Sequence, residues 1–391
     1  MFFLHGLLFA SWTAHIPAVQ QAVGAGNGEL GTALLGAPIG SVLAMVAVGR
    51  LIPRFGSRVV VLVSAVGYSL AGLTVGLTGD LIGLFVALFL WGAFQGALDV
   101  AMNAHGTEVE HAHGGAIMSA FHGFWSIGAL AGAVIGAACA GLGVGLDVQL
   151  LPLGLLAILA TLVLGRWLLP PERATPEPRG TRPRAAFTIP TKALLLGAVA
   201  FACMLCEGAT ADWSAVHLTT DLGATAAIAG LAYAAYACAM VVVRMLAARI
   251  FRRFAPSKII PPLALVAAAG MTVGLVSGSL PVIIAGFALL GVGLATIVPT
   301  AFTAASRLPG GKPGASIAQV SALGWAGFVC GPPLIGHLSE LTGLTLALGV
   351  VPLLAVVIAV MIRFGRLFPD APITATPDGD PTAADVVGAE R

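Results

Sequence analysis

Charge is what this chain is short of. Only 9% of its 391 residues are Asp, Glu, Lys or Arg, while 58% are hydrophobic; soluble domains carry roughly 25% charged residues. So small a polar complement cannot cover a water-exposed globule, which excludes a soluble enzyme or binding module and indicates a polytopic membrane protein. Cysteine is scarce as well. Cys139, Cys203, Cys206, Cys238 and Cys330 all fall inside apolar runs, where an extracellular disulfide framework has no place, and the C-x-x-C of Cys203 and Cys206 reads as small packing residues. The net charge of +2 implies no nucleic-acid partner. No phosphate-cradling Walker loop occurs, which argues against direct ATP coupling, and neither an H-E-x-x-H nor a nucleophile–base spacing suggests an enzyme. No cofactor or metal is expected. The opening stretch "MFFLHGLLFAS" lacks the basic leader of a cleaved signal, so it reads as a first membrane helix.

What the chain does have is apolar runs of about 20 residues, the length that crosses a bilayer as a helix. There are twelve, near 2–22, 30–49, 59–77, 81–104, 116–140, 149–169, 193–214, 224–246, 259–277, 281–303, 315–337 and 344–364. Basic residues stay on the cytoplasmic side during insertion. Here Arg50, Arg54 and Arg58 lie between runs 2 and 3, and Arg166, Arg173, Arg179, Arg182, Arg184 and Lys192 between runs 6 and 7. Arg244, Arg249, Arg252, Arg253 and Lys258 lie between runs 8 and 9, Arg307 and Lys312 between 10 and 11, and Arg363, Arg366 and Arg391 after run 12. These are all 19 basic residues, and none falls in an odd-numbered loop. The expectation is a multi-pass protein of the cytoplasmic (inner) membrane, monomeric, with both termini cytoplasmic.

Residues 170–191, "PPERATPEPRGTRPRAAFTIPT", are rich in Pro and Arg and unable to bury a core. They divide the chain into an N-terminal six-helix bundle (1–169), a cytoplasmic linker (170–191), a C-terminal six-helix bundle (192–368) and a cytoplasmic tail (369–391). The halves repeat weakly: "GRLIPRFGSRVVVL" is echoed by "VRMLAARIFRRFAPSKII", and "FWSIGALAGAVIG" by "GWAGFVCGPPLIG". Six-helix repeats with a site between them are the plan of an alternating-access transporter. The loop "GRLIPRFGSR" resembles the major facilitator superfamily pattern G-x-x-x-D-R-x-G-R-R at Gly49, Arg54, Gly56 and Arg58, and departs from it at Pro53 and Ser57; Ala248 replaces the acid in the second copy. The resemblance implies an all-α membrane protein, twelve transmembrane helices in two pseudo-symmetric six-helix bundles, with Arg54, Arg58, Arg244 and Arg253 at a cytoplasmic gate and Glu108 or Glu110 as a stand-in for the missing acid. More narrowly, "LDVAMNAHG" is similar to the "LETAANPF" segment of the fucose–proton symporter branch, which places Asp99 at its coupling acid and Asn103 at its asparagine; the acid that branch carries in helix 1 corresponds to Ala10. Overall the chain resembles uncharacterised bacterial inner-membrane members of the superfamily.

Polar residues inside the runs mark the functional face, because a membrane-depth charge persists only where it meets protein or water. Trp91, Gln95, Asp99 and Asn103 recur at spacing four on one face of helix 4. Glu207 sits about thirteen residues into helix 7, roughly 20 Å deep, and is the second proton-exchange candidate. His122, at the depth of Asp99, can tune it or serve helix packing. Asp212 reads as a cap or exposed residue near the periplasmic interface. Trp12, Trp125, Tyr233, Tyr236, Trp325 and Gln319 are candidate substrate contacts, and Gly128, Gly132, Gly136, Gly327, Gly331 and Gly336 read as packing and gating devices. The expected function is proton-coupled secondary transport of a small sugar-like or amphipathic solute; an exporter working by proton antiport and a receptor that binds without moving its ligand remain open.

Overall fold

The structure, a computed structural model, describes residues 1–113, 117–170, 191–308 and 313–372. The expected linker and tail lie almost wholly outside those residues. Hydrocarbon offers no water to backbone N–H and C=O groups, so a lipid-spanning chain must satisfy them within each segment. Twelve apolar helices do so: α1 (Phe2–Ala22), α2 (Asn27–Phe55), α3 (Ser57–Val75), α4 (Leu81–His113), α5 (Ala120–Gly141), α6 (Leu146–Trp167), α7 (Thr191–Thr220), α8 (Ala226–Arg253), α9 (Pro256–Ser277), α10 (Leu280–Ser306), α11 (Ser316–Thr342) and α12 (Leu344–Gly365). There is no strand among the described residues. Several helices overrun the apolar runs, α4 by nine residues to His113, because the hydrogen-bond ladder continues after the hydrocarbon ends. Leu43, Val46, Val63, Leu159 and Val360 face outward, as lipid requires.

The helices form two pseudo-symmetric six-helix bundles. In the first, α2 packs on α4, α1 on α5, α3 on α4 and α3 on α6; in the second, α8 packs on α10, α7 on α11, α9 on α10 and α9 on α12. Each pairing reappears six helices later. The seams between bundles obey the same rule: α2 meets α11, and α8 meets α5. In lipid such contacts depend on close packing rather than water exclusion, so small residues gather at them. The α1–α5 pairing shows how close: a Cβ on Gly128, Gly132 or Gly136 would collide with the carbonyl of Phe3, Leu7 or Ser11. At the α2–α3 corner Gly56 has φ of 81°, a left-handed conformation that side chains resist.

Four helices are interrupted, α2 at Leu35 and α12 at Leu348–Gly349 as well as α1 and α10, and the breaks in α1 and α10 each have a cause in proline. Pro17 has no N–H for Thr13, and α1 passes through a single turn of tighter helix over Thr13–His15. That turn frees the Ser11 carbonyl, which accepts from Gln149 Nε2 of α6 at 2.8 Å, while Gln149 Oε1 pairs with His15 Nε2 at 2.8 Å. In α10, Pro299 has no N–H for Ala295, and the helix is interrupted between Leu294 and Ile297. The Ala295 carbonyl accepts instead from Arg244 Nε of α8 at 3.0 Å.

Replacing Gly132 by valine is expected to cost about 1–3 kcal/mol through overpacking against Leu7. The measurement is thermal unfolding of the purified protein in detergent, which should drop for Gly132→Val and not for Gly123→Ala, whose added Cβ meets nothing within 4 Å.

Candidate functional site

Between the bundles lies a cavity of about 290 Å³. From the first bundle come His5, Phe9, Trp12, Gln95, Asp99, His122 and Trp125; from the second, Glu207, Asp212, Tyr233, Tyr236, Arg244 and Trp325. Asp99, Glu207 and His122, singled out as proton-coupling candidates, thus face one space from three helices. The Asp99 carboxylate accepts from Asn103 Nδ2 at 3.3 Å, and the same amide reaches the Asp99 carbonyl at 2.8 Å. Asn103 is therefore turned along its own helix and lies outside the lining. Gln319 is half-buried and also outside it. Glu207 accepts from the Cys203 thiol at 3.7 Å, one turn back on α7.

The break in α1 carries Trp12 into the cavity wall, where its ring meets Trp91 edge-on at 5.8 Å. Trp91 stacks on Tyr68 at 5.4 Å. Trp125 donates its Nε1–H to His5 Nδ1 at 3.1 Å, which leaves the histidine's proton on Nε2. On the opposite wall Tyr233 and Tyr236 stack at 5.9 Å. The wall is aromatic and apolar over most of its area, with a few converging polar groups, the usual make-up of a small-molecule site.

Three lining residues escaped the sequence reading or stand elsewhere than expected. His5 belongs to a stripe with Phe9 and Trp12 at i, i+4, i+7, which was visible in the sequence. Asp212 lines the cavity rather than capping α7, because α7 continues two turns further, to Thr220. Arg244, expected with Arg54, Arg58 and Arg253 at the gate, stands on the cavity wall. It continues the stripe Tyr233, Ala237, Met240 along α8, and its helix runs on to Arg253. Arg54 and Arg253 are exposed, Arg54 lying over the Phe55 ring at 5.2 Å, and Arg58 is half-buried. Gly49 stands in open space.

At the corner where the loop motif departs from its pattern, Ser57 donates to Glu108 Oε2 at 2.7 Å and pairs with His105 Nδ1 at 2.8 Å. This joins α3 to α4 with a hydroxyl in place of an arginine. Glu110 takes the backbone N–H groups of Ile117 and Met118 at 2.7 and 2.6 Å.

Among the described residues, the side-chain hydrogen bonds between the bundles lie at one end. Gly28 N donates to Glu340 Oε1 at 3.0 Å, and Thr32 Oγ1 lies 3.1 Å from His337 Nε2, joining the start of α2 to the end of α11. At the other seam Gly230 packs on Ala137 and Ala14. Both contacts are remote from the basic loops, and no side-chain hydrogen bond or ion pair joins the bundles at the basic-loop end among the described residues. Among the described residues, these contacts close the cavity at the end remote from the basic loops.

The sequence profile of the Major Facilitator Superfamily matches residues 1–213 and 195–386. An uncharacterised MFS-type transporter of Yersinia pestis is 34% identical over 368 residues, covering 93% of each chain. Among solved structures, a bacterial homologue of the human lysosomal transporter Spinster, inward-facing and occupied, is similar with a TM-score of 0.70 at 16% identity, covering 93% of this chain and 92% of the other. A D-xylose–proton symporter is similar with a TM-score of 0.67 at 17% identity, covering 94% and 97%.

In a cysteine-free background, Gln95→Cys is expected to react with a membrane-impermeant thiol reagent applied to the basic-loop face and to be shielded from the other face. Adding Glu340→Ala, which uncaps Gly28, should raise labelling from the shielded face. Comparison of right-side-out with inverted vesicles checks both, and equal labelling of the single variant from either side would contradict the closure.

Proposed function

The chain belongs to the Major Facilitator Superfamily, a family of transporters, and from that premise we propose that it moves a small organic solute, sugar-like or amphipathic, by alternating access coupled to protons. One observation carries the reading: a single cavity, sealed at one end, receives Asp99 from the first bundle and Glu207 from the second. A carboxyl that faces water through such a cavity can take a proton in one state and release it in the other. Solute and proton then share the same space, which is what couples them. Trp12, Trp125, Tyr233, Tyr236 and Trp325 supply faces for a ring or an apolar body. Gln95 supplies a polar contact, and His122 and Arg244 line the same space from opposite bundles. In this reading the two bundles rock about the site, and the confinement of basic residues to alternate loops supports cytoplasmic termini.

Exchange of the Asp99 carboxyl for an amide mimics its protonated form. Asp99→Asn should abolish uptake driven by a pH gradient in proteoliposomes while solute exchange persists, and Glu207→Gln should weaken solute binding. Accumulation by Asp99→Asn with unchanged pH dependence would assign coupling to Glu207 or His122 instead.

Orientation is checked separately. A cysteine at Ser279, in the short turn between α9 and α10, should be labelled only from the periplasmic side of intact cells.

A further inference from the structure

Arg244 is the charged group on the cavity wall that proton coupling leaves unused. A guanidinium stays charged at any pH a cell reaches, and at membrane depth a permanent charge persists only where something answers it. The protein answers it in part. Its Nε is held by a neutral carbonyl, Ala295, at 3.0 Å. Glu207 lines the same cavity, yet its carboxylate takes the Cys203 thiol and forms no ion pair with Arg244 among the described residues. Asp99 is engaged with Asn103 on α4. The two terminal nitrogens of Arg244, which present four N–H donors in one plane, have no hydrogen-bond partner among the described residues.

We propose that the solute carries one carboxylate, held through two parallel hydrogen bonds by the terminal nitrogens of Arg244, with its body against Tyr233, Trp325 and Trp125. Anchoring of Nε on Ala295 fixes the plane of the fork, and a planar fork matches a carboxylate better than a point charge does. The lining also argues against a phosphate ester. Arg244 is its only Lys or Arg, whereas Asp99, Glu207 and Asp212 all share the space, so a dianion would leave charge unanswered. One carboxylate answers one guanidinium. A proton entering with it leaves the charge of the cavity unchanged, which ties this inference to the coupled transport proposed above, on whose reading of the cavity it rests.

Binding can be tested without transport, because Trp12, Trp91, Trp125 and Trp325 line the cavity and their fluorescence reports occupancy in the detergent-purified full chain. The probes are D-glucuronate, D-glucose and D-glucose 6-phosphate, which share a ring, together with benzoate and benzyl alcohol. The carboxylate of each set should bind about tenfold or more tightly than its neutral mate, the ratio expected for hydrogen bonds to a charged group. Arg244→Gln should remove that preference, and Arg244→Lys, which keeps the charge without the fork, should retain part of it. Should Arg244→Gln fail to elute as a folded species, the wild-type preference and Arg244→Lys decide. Neutral mates binding as well as carboxylates, the 6-phosphate binding more tightly than glucuronate, no carboxylate binding, or an undiminished preference in Arg244→Gln would each overturn the proposal. Carboxylate binding by a protein that moves no carboxylate across proteoliposomes would refute the transport reading and leave this one intact; coupled transport confined to neutral solutes would do the reverse.

Discussion

Every backbone group that a helix break exposes inside the bilayer has to find a partner within the protein, since hydrocarbon supplies none. The cavity is built around that requirement. Pro17 withdraws the N–H due to Thr13, and Gln149 fills the Ser11 carbonyl that the tighter turn beside it leaves free; Pro299 withdraws the one due to Ala295, and Arg244 fills that carbonyl. The first repair lets α1 turn Trp12 into the cavity; the second holds a cation on the opposite wall. Unfilled, each carbonyl would cost on the order of 1–3 kcal/mol. The breaks in α1 and α10 are thus positioning devices, each locked by a neighbour.

Much of the architecture was legible in the residues. Twelve apolar runs, basic residues confined to alternate loops and a repeat between halves follow from hydrophobic length and insertion physics, and these depend on composition more than on packing. The stripe of Gln95 and Asp99 was legible for the same reason, as a period of four in a run that is otherwise apolar. Depth was not. Counting from the end of a hydrophobic run put Arg244 at the membrane edge and Asp212 at the opposite interface, but α7 and α8 overrun their apolar stretches, so both residues stand further in. The link between Pro299 and Arg244 crosses two helices separated by some fifty residues, and no local pattern announces it. Asn103 shows the converse. Its spacing places it on the right face, yet its side chain folds back along α4 to Asp99.

Pseudo-symmetry governs the backbone and stops at the chemistry. The α2–α11 and α5–α8 seams are related by the same six-helix offset, but the first is joined by Glu340 and His337 and the second by glycine and alanine. One seam is held by directional hydrogen bonds, the other by close packing alone.

The mooring of Arg244 on a carbonyl has a consequence for conditions outside the cell. A cation tethered to a carboxylate loses its tether when that acid is protonated, so its position drifts with acidity. A peptide oxygen does not titrate. The guanidinium therefore keeps its station in acidic and alkaline surroundings alike, and the geometry it presents is constant while the carboxyls around it change charge.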